Sequence, residues 1–452
     1  MKRRYSKILV PAIGTALVVS MTALPVTGVP AASAATTANV NRSRANGSKF
    51  GVNATGKVTF WIRDATEAAA LKLIPKFNKT HKHLKIITHV TSPNDDTSQL
   101  ATAIRAGDPP DLVGLNDIDV PEFSHEGALM NITSDVNALP YKSKLSPGHL
   151  ALAAIGNQYY GVPYLSDLSV LWYNKDLFKQ AGIAAAPTTF AQIAADAKKV
   201  SALSTPSKPV YGLSFAGDCQ GCLGFVMLPD VWASGQHLIS GPLGTQKANI
   251  AHNAPLKALL KVYAQVWAGK EAPPSDRTQD GTTWGQQFGK GNVGLLPGDY
   301  GFFTTFEKEG LSPSAFADVP LPSENGGHGS TFDGGDDFVI PEGAKNPSGA
   351  WEVVKWFLAK AQQEQYPADG ESPVRSDIVT PSFAKKYIYD AVALDTLKWG
   401  SVEYTLAYNA VFNNPGSPWL KMFDEAVYSN NVNKALQIGQ SGIQATLDAA
   451  DT

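Results

Sequence analysis

Gly161-Val162-Pro163-Tyr164, then Leu171-Trp172-Tyr173-Asn174-Lys175-Asp176-Leu177-Phe178, then Ala181-Gly182-Ile183 with Pro187-Thr188-Thr189-Phe190 behind it, carry the alternation that decides the fold. From Tyr164 to Tyr173 the chain is apolar and rich in residues that suit a pleated, half-buried surface. Asn174-Lys175-Asp176 breaks that strand and caps a helix. Gly182 ends the helix and Pro187 keeps it from resuming. Thr188 or Thr189 caps the next helix, whose apolar positions Phe190, Ile193, Ala194, Ala197 and Val200 recur at helical spacing. This is α/β punctuation, and by itself it names no function.

The same alternation starts upstream at Lys57. Val58, Phe60 and Ile62 alternate with Lys57, Thr59, Trp61 and Arg63, the pattern of a strand. Asp64 or Thr66 then caps a helix with apolar Ala70, Leu71, Ile74 and Phe77, in which Pro75 predicts a kink or a nearby boundary. A strand over 84–90, a helix over 98–106 closed by Gly107, and a strand over 112–115 follow. Strand, helix, strand, helix, strand in this order predicts an open, largely parallel sheet covered by helices. Ligands of such sheets lie beyond the carboxyl ends of the strands. That nominates Arg63 and Asp64 after the first strand, and Asn116 and Asp117 after the third. Capping by Asp64 and a turn at Asp117 are the competing structural roles.

The chain opens Lys2-Arg3-Arg4, runs apolar from Ile8 to Leu24 and reaches Ala32-Ser33-Ala34, which reads as a signal peptide (1–34) cut after Ala34. Pro11, Gly14 and Pro25 interrupt the apolar run and argue against a membrane anchor. Residues 35–56 offer little to bury and read as a flexible leader. The remainder is long enough for two or three domains. Lys plus Arg number 38 against 40 Asp plus Glu, and without a basic stripe nucleic acid has no electrostatic footprint here. Aromatic content, with Trp 9, Tyr 15 and Phe 19, suits stacking on sugars as well as an ordinary core. Cys219 and Cys222 are the two cysteines, so no lipobox cysteine follows the signal.

The opening block resembles the solute-binding proteins of ABC sugar importers, and the likeness runs over most of 57–452. It takes in Gly107 with Pro110-Asp111, Tyr211-Gly212, Trp232 with Gly235, Gly298 to Tyr300, Val319-Pro320-Leu321-Pro322, Gly334-Gly335 and Pro373-Val374-Arg375. The chain is similar to the family 1 extracellular solute-binding proteins, typified by maltose-binding and related oligosaccharide-binding proteins. The resemblance implies the two-lobe α/β fold of the type II periplasmic binding proteins, each lobe a mostly parallel sheet flanked by helices, with ligand in the cleft. Crossings are expected near Asp167, Asp318 and Ala361, joining 57–166 with 318–360 in one lobe and 167–317 with 361–452 in the other.

It also implies a monomeric, extracytoplasmic receptor, without cofactor, that delivers a carbohydrate to ABC transporter permease subunits. A sugar needs carboxylates and amides for its hydroxyls and aromatic faces for its C–H patch. Trp61, Trp232, Trp284 and Tyr300 are the aromatic candidates. Arg63, Asp64, Asp117, Asp167, Asp299, Asp336 and Arg375 are the polar ones. In the family an acidic residue six positions before the Tyr of Tyr-Asn-Lys-Asp-Leu bonds sugar hydroxyls, and here Asp167 stands there. Where relatives have Gly-Pro-Trp this chain has Gly298-Asp299-Tyr300, which keeps a stacking face and adds a charge. Gly334-Gly335-Asp336-Asp337 resembles a turn bringing backbone close to ligand, with Asp336 a further acceptor.

The surplus of acids has a second reading: a cationic or amine-bearing ligand, or a bound Ca²⁺, would also want Asp64, Asp167, Asp299, Asp336 and Asp337. No Asp-x-Asp-x-Asp-Gly loop is present, and a neutral sugar is the preferred ligand. Cys219-Gln220-Gly221-Cys222 reads as a small disulfide loop near the cleft, against a redox pair or half a zinc site. The competing class is a secreted carbohydrate hydrolase. No Gly-x-Ser-x-Gly elbow and no His-Glu-x-x-His helix is present to support an enzyme.

Overall fold

The computed structural model describes residues 50–450, apart from 52 and 93–95. The expected signal peptide and most of the leader lie outside the described residues. The end of the leader does not: Phe50 packs against Trp351 and is 8% exposed, and its N–H donates to Asp135. Burial of that one aromatic ties Phe50 into the fold ahead of the first strand.

Two sheets organise the chain. The first runs Leu84–Thr91, Gly56–Arg63, Leu112–Asn116, Gly334–Val339, Gly161–Asp167. The second runs Phe316–Val319, Ser169–Asn174, Val293–Asp299, Tyr211–Leu213. Both are mixed. The three N-terminal strands pair in parallel, whereas Gly334–Val339 lies antiparallel to both of its neighbours. In the second sheet only Val293–Asp299 with Tyr211–Leu213 is parallel. The antiparallel strands are those by which the chain enters or leaves a sheet, so the strands after each crossing set the mixture.

Local signals act where the residues place them. Val58, Phe60 and Ile62 are fully buried, as alternation requires. Asn174 accepts from the N–H groups of Asp176 and Leu177 at the start of Lys175–Gln180. Thr189 and Gln192 form a reciprocal capping box at Phe190–Ser201. Gly182, at φ +67°, takes the left-handed conformation after the preceding helix. Neither Asp64 nor Thr66 caps Ala68–Thr80, and that helix continues through Pro75. Pro75 lies on its outer side, while Ala70, Ile74 and Phe77 face inward.

The first core joins Phe60, Phe77, Tyr164, Phe338, Trp351 and Phe357 across the first sheet and its helices. The second sheet is covered on one side by Leu171, Leu213 and Leu295 with the helices Gln220–Ala233 and Ala254–Ala268. Trp172, Phe288, Phe306 and Phe316 cover its other side. The chain passes from one sheet to the other twice, and a third time between the cores on either side. Leu168 alone separates Gly161–Asp167 from Ser169–Asn174. The second passage runs from Phe316–Val319 to Gly334–Val339. The third lies between Val374, in the first core, and Ile378, beside Trp172. It therefore comes later than Ala361, because Tyr366 holds the chain in the first core by packing on Tyr164 at 5.9 Å.

Candidate ligand-binding site

A cavity of about 400 Å³ opens where the two sheets meet, within the range of small-molecule sites. The strands Gly56–Arg63, Leu112–Asn116 and Gly161–Asp167 point the same way and deliver Arg63, Asn116 and Asp167 to one wall. The second sheet delivers Asp299 and Tyr300 from the carboxyl end of Val293–Asp299. Phe225, Cys222, Trp284, Phe302, Phe332, Tyr408, Asn413 and Glu371 are among the other residues that line it.

Of the residues the sequence nominated, Arg63, Asn116, Asp167, Trp284, Asp299, Tyr300 and Gly335 line this cavity. The Arg63 guanidinium pairs with Asp336, which is fully buried and also accepts from Thr66 Oγ1 at 2.5 Å. Burial works against the arginine's charge, but Asp336 more than restores it. Asp336 thus stands behind Arg63 rather than on the wall. Gly335, at φ +145°, is required by its neighbour strand: a Cβ there would fall 2.2 Å from the Leu165 carbonyl oxygen. Its close approach is to Gly161–Asp167 first.

Asp167 and Asp299 lie within hydrogen-bonding reach of each other. Burial raises both carboxyls, and the facing Asp167 raises Asp299 further. Asp299 is held from behind: the Trp172 indole N–H donates to its carbonyl at 2.8 Å, and its Oδ1 accepts from Gly301 N–H at 2.7 Å. Glu371, raised by burial to about 8, accepts from the Ala69 N–H.

The other nominated residues do different work. Trp61 packs on His89 at 5.1 Å, on the face of the strand that covers Leu100 and Val113. Asp64 sits exposed in the turn Asp64–Thr66. Asp117 is fully buried beside His149, with Asp337 3.2 Å from the same imidazole. Burial alone would push His149 down; Asp337 and Asp117 together raise it to about 9. Trp232 is a core residue whose N–H donates to Glu403 at 2.9 Å. Arg375 makes a bidentate pair with Asp377, donates to the Leu358 carbonyl and lies 4.1 Å over the Tyr141 ring. The buried polar groups of Trp232 and Arg375 find their partners away from the cavity, as burial obliges them to.

Cys219 and Cys222 are bonded, and Cys222 reaches the wall. Cys219 caps Gln220–Ala233, and Gly281, on the loop that carries Trp284, packs directly on the two sulfurs. Several lining residues were not nominated. Phe225 lies in a helix that is apolar nearly all round, so periodicity marks no face. Phe332 lies in an irregular stretch. Glu371 stands four residues before Arg375, and its position next to Gly370 was the available signal.

Residues 63–364 match the family described as bacterial extracellular solute-binding protein. The chain belongs to this family. As a solute-binding protein it is 23% identical over 287 residues to a binding protein of Brucella abortus (strain 2308), covering 62% of this chain and 66% of that relative. It thus spans just under two thirds of that relative's length. It is 23% identical over 327 residues to the diacetylchitobiose binding protein DasA of Streptomyces coelicolor, covering 68% and 70% of the two chains. Among solved structures, the sugar-binding protein MalE of Xanthomonas citri superposes with a TM-score of 0.76 at 20% identity, over 87% of this solute-binding protein and 98% of that chain. The fold is that of the two-lobe periplasmic binding proteins, with α/β lobes on either side of the cavity.

Proposed function

We propose that this protein is an extracytoplasmic receptor that captures a mono- or oligosaccharide between two closing lobes and delivers it to the membrane permease of an ABC importer. The wall of the interlobe cavity carries this reading. Charged and amide groups at Arg63, Asn116, Asp167, Asp299 and Glu371 stand beside the aromatic rings of Phe225, Trp284, Phe302 and Phe332, the mixture that a sugar's hydroxyl edge and C–H face require. The sugar ligands named for the Streptomyces and Xanthomonas proteins support the same class. We take the lobes to be 50–167 with 334–374 and 169–319 with 378–450. In this reading export removes residues 1–34. One chain supplies both walls, so a monomer suffices. Ligand bridging the walls shifts an open population towards closed.

A hydrolase would need two carboxyls on either side of a glycosidic bond, about 5 Å or more apart. Asp167 and Asp299 instead lie within hydrogen-bonding reach of each other, which supports a binder over an enzyme. Thermal unfolding of residues 35–452 against mono- and oligosaccharides, with amino acids, polyamines and glycerol phosphate as contrasts, tests the proposal. A midpoint raised by one sugar series, with the sugar recovered intact, is the expected result. Cleaved sugar would overturn it in favour of the hydrolase, and a rise with a non-sugar solute alone would remove the carbohydrate.

A further inference from the structure

The cavity wall holds more acid than its cation can use. Among the described residues that line it, Arg63 is the one basic side chain, and it is committed to Asp336. Asp167 and Asp299 are left facing each other, and Glu371 adds a third carboxyl whose hydrogen bond comes from a backbone N–H. A neutral hydroxyl can donate to one carboxylate of a close pair but leaves their repulsion in place. An ammonium is attracted to both, and it lets both ionise.

Acidic groups alone could simply share their proton, so a second set of groups decides the matter. Ser166, 1% exposed on the same wall, has a hydroxyl without a protein partner. The Nε of Arg63 and the Nε1 of Trp284 are buried donors, also unpartnered. Buried donors without acceptors are unfavourable by an amount comparable to a hydrogen bond. They call for oxygen atoms on the ligand, and a linear polyamine has none. Both requirements are met by one molecule with a cationic nitrogen and several hydroxyl or ether oxygens.

We propose that the ligand is an amine-bearing saccharide, with its ammonium seated between Asp167 and Asp299 and its oxygens serving Ser166, Arg63 Nε and Trp284 Nε1. This rests on the receptor reading above and narrows its ligand class. The geometry favours it over the neutral sugar expected from sequence because Arg63 is already neutralised, which the sequence does not reveal.

Calorimetric titration of the exported protein with matched sugars tests it. Glucosamine, N-acetylglucosamine and glucose form one set, the three galactose counterparts a second, and the β-1,4-linked dimers of the first set a third; spermidine is the contrast. At least one amine form should bind about tenfold to a hundredfold tighter than its hydroxyl counterpart, the range a charge-assisted hydrogen bond supplies. In Asp299→Asn that ratio should fall towards one; Asp167→Asn is the second variant if the first fails to fold. Hydroxyl forms that bind as tightly as amine forms, an unchanged ratio in both folded variants, or no binding of any amine-bearing sugar would overturn the inference. In the first two cases the receptor reading survives. Spermidine binding without any sugar binding would overturn both.

Discussion

Arg63 lines the cavity and is a structural counter-ion at once. Replacing it by Ala leaves Asp336 fully buried without its cation, and breaking a buried pair by removing one partner costs about 3–5 kcal/mol. Urea unfolding of Arg63→Ala should show a loss of that size; an unchanged midpoint would mean that Thr66 alone satisfies Asp336. Trp284 is only partly buried and packs edge-on to Phe302 at 5.2 Å, so its ring is available to ligand. Trp284→Ala should weaken sugar affinity by about tenfold while leaving the unfolding midpoint nearly in place. A large loss of stability with unaltered affinity would instead assign the ring to packing. At this scale the sequence was a partial guide. Asp167 and Asp299 follow strands and carry a local signal. Asp117 and Arg375 stand in equally suggestive positions, and only tertiary packing reveals that His149 and Asp377 claim them.

Elements were more legible than residues, since caps and periodicity act over a few neighbours. The capping box at Thr189 is a case in point: Gln192 N–H donates to Thr189 Oγ1 at 3.2 Å and Gln192 Oε1 accepts from Thr189 N–H at 3.1 Å. Thr189→Ala should lower stability by about 1 kcal/mol, measured by denaturant unfolding, and no change would mean the helix is held by packing alone. The helix Gln220–Ala233 was harder to foresee, because its apolar residues cover nearly every face and Pro229 lies inside it. Its start is fixed by the Cys219–Cys222 bond. Closing so short a loop is worth about 2 kcal/mol by the chain-entropy estimate, so the Cys219→Ser, Cys222→Ser double variant should lose no more than that. The third passage, between the cores, illustrates the limit of local signals: its place depends on Tyr366 meeting Tyr164, far apart in sequence.

The molecule as a whole carries buried acids whose protonated form the fold favours. Burial raises Asp119 to about 7, and Glu371, Asp276 and Asp390 to about 8, from ordinary values of 3.8 to 4.5. The folded state therefore binds more protons than the unfolded chain between those limits, and stability must fall as pH rises through that window. His149 acts in the same direction: raised from 6.5 to about 9, its contribution is complete below 6.5 and lost as pH passes 9. Urea midpoints at pH 5, 7 and 9 should decline in that order, and a midpoint that rises between pH 5 and 7 would contradict this assignment of protons. The crossing at Leu168 has a separate consequence, for the order of events in time. Asp167 ends one sheet immediately before this crossing, and Asp299 pairs with Ser169 immediately after it. Points so near an axis hardly move when the bodies on either side swing. In the proposed receptor the lobes swing about this crossing, so the acid pair would be assembled before closure and meet the solute first, whereas Trp284 and Phe225 would join later. Capture should register as a fast step set by the head group, followed by a slower one set by the rest of the ligand.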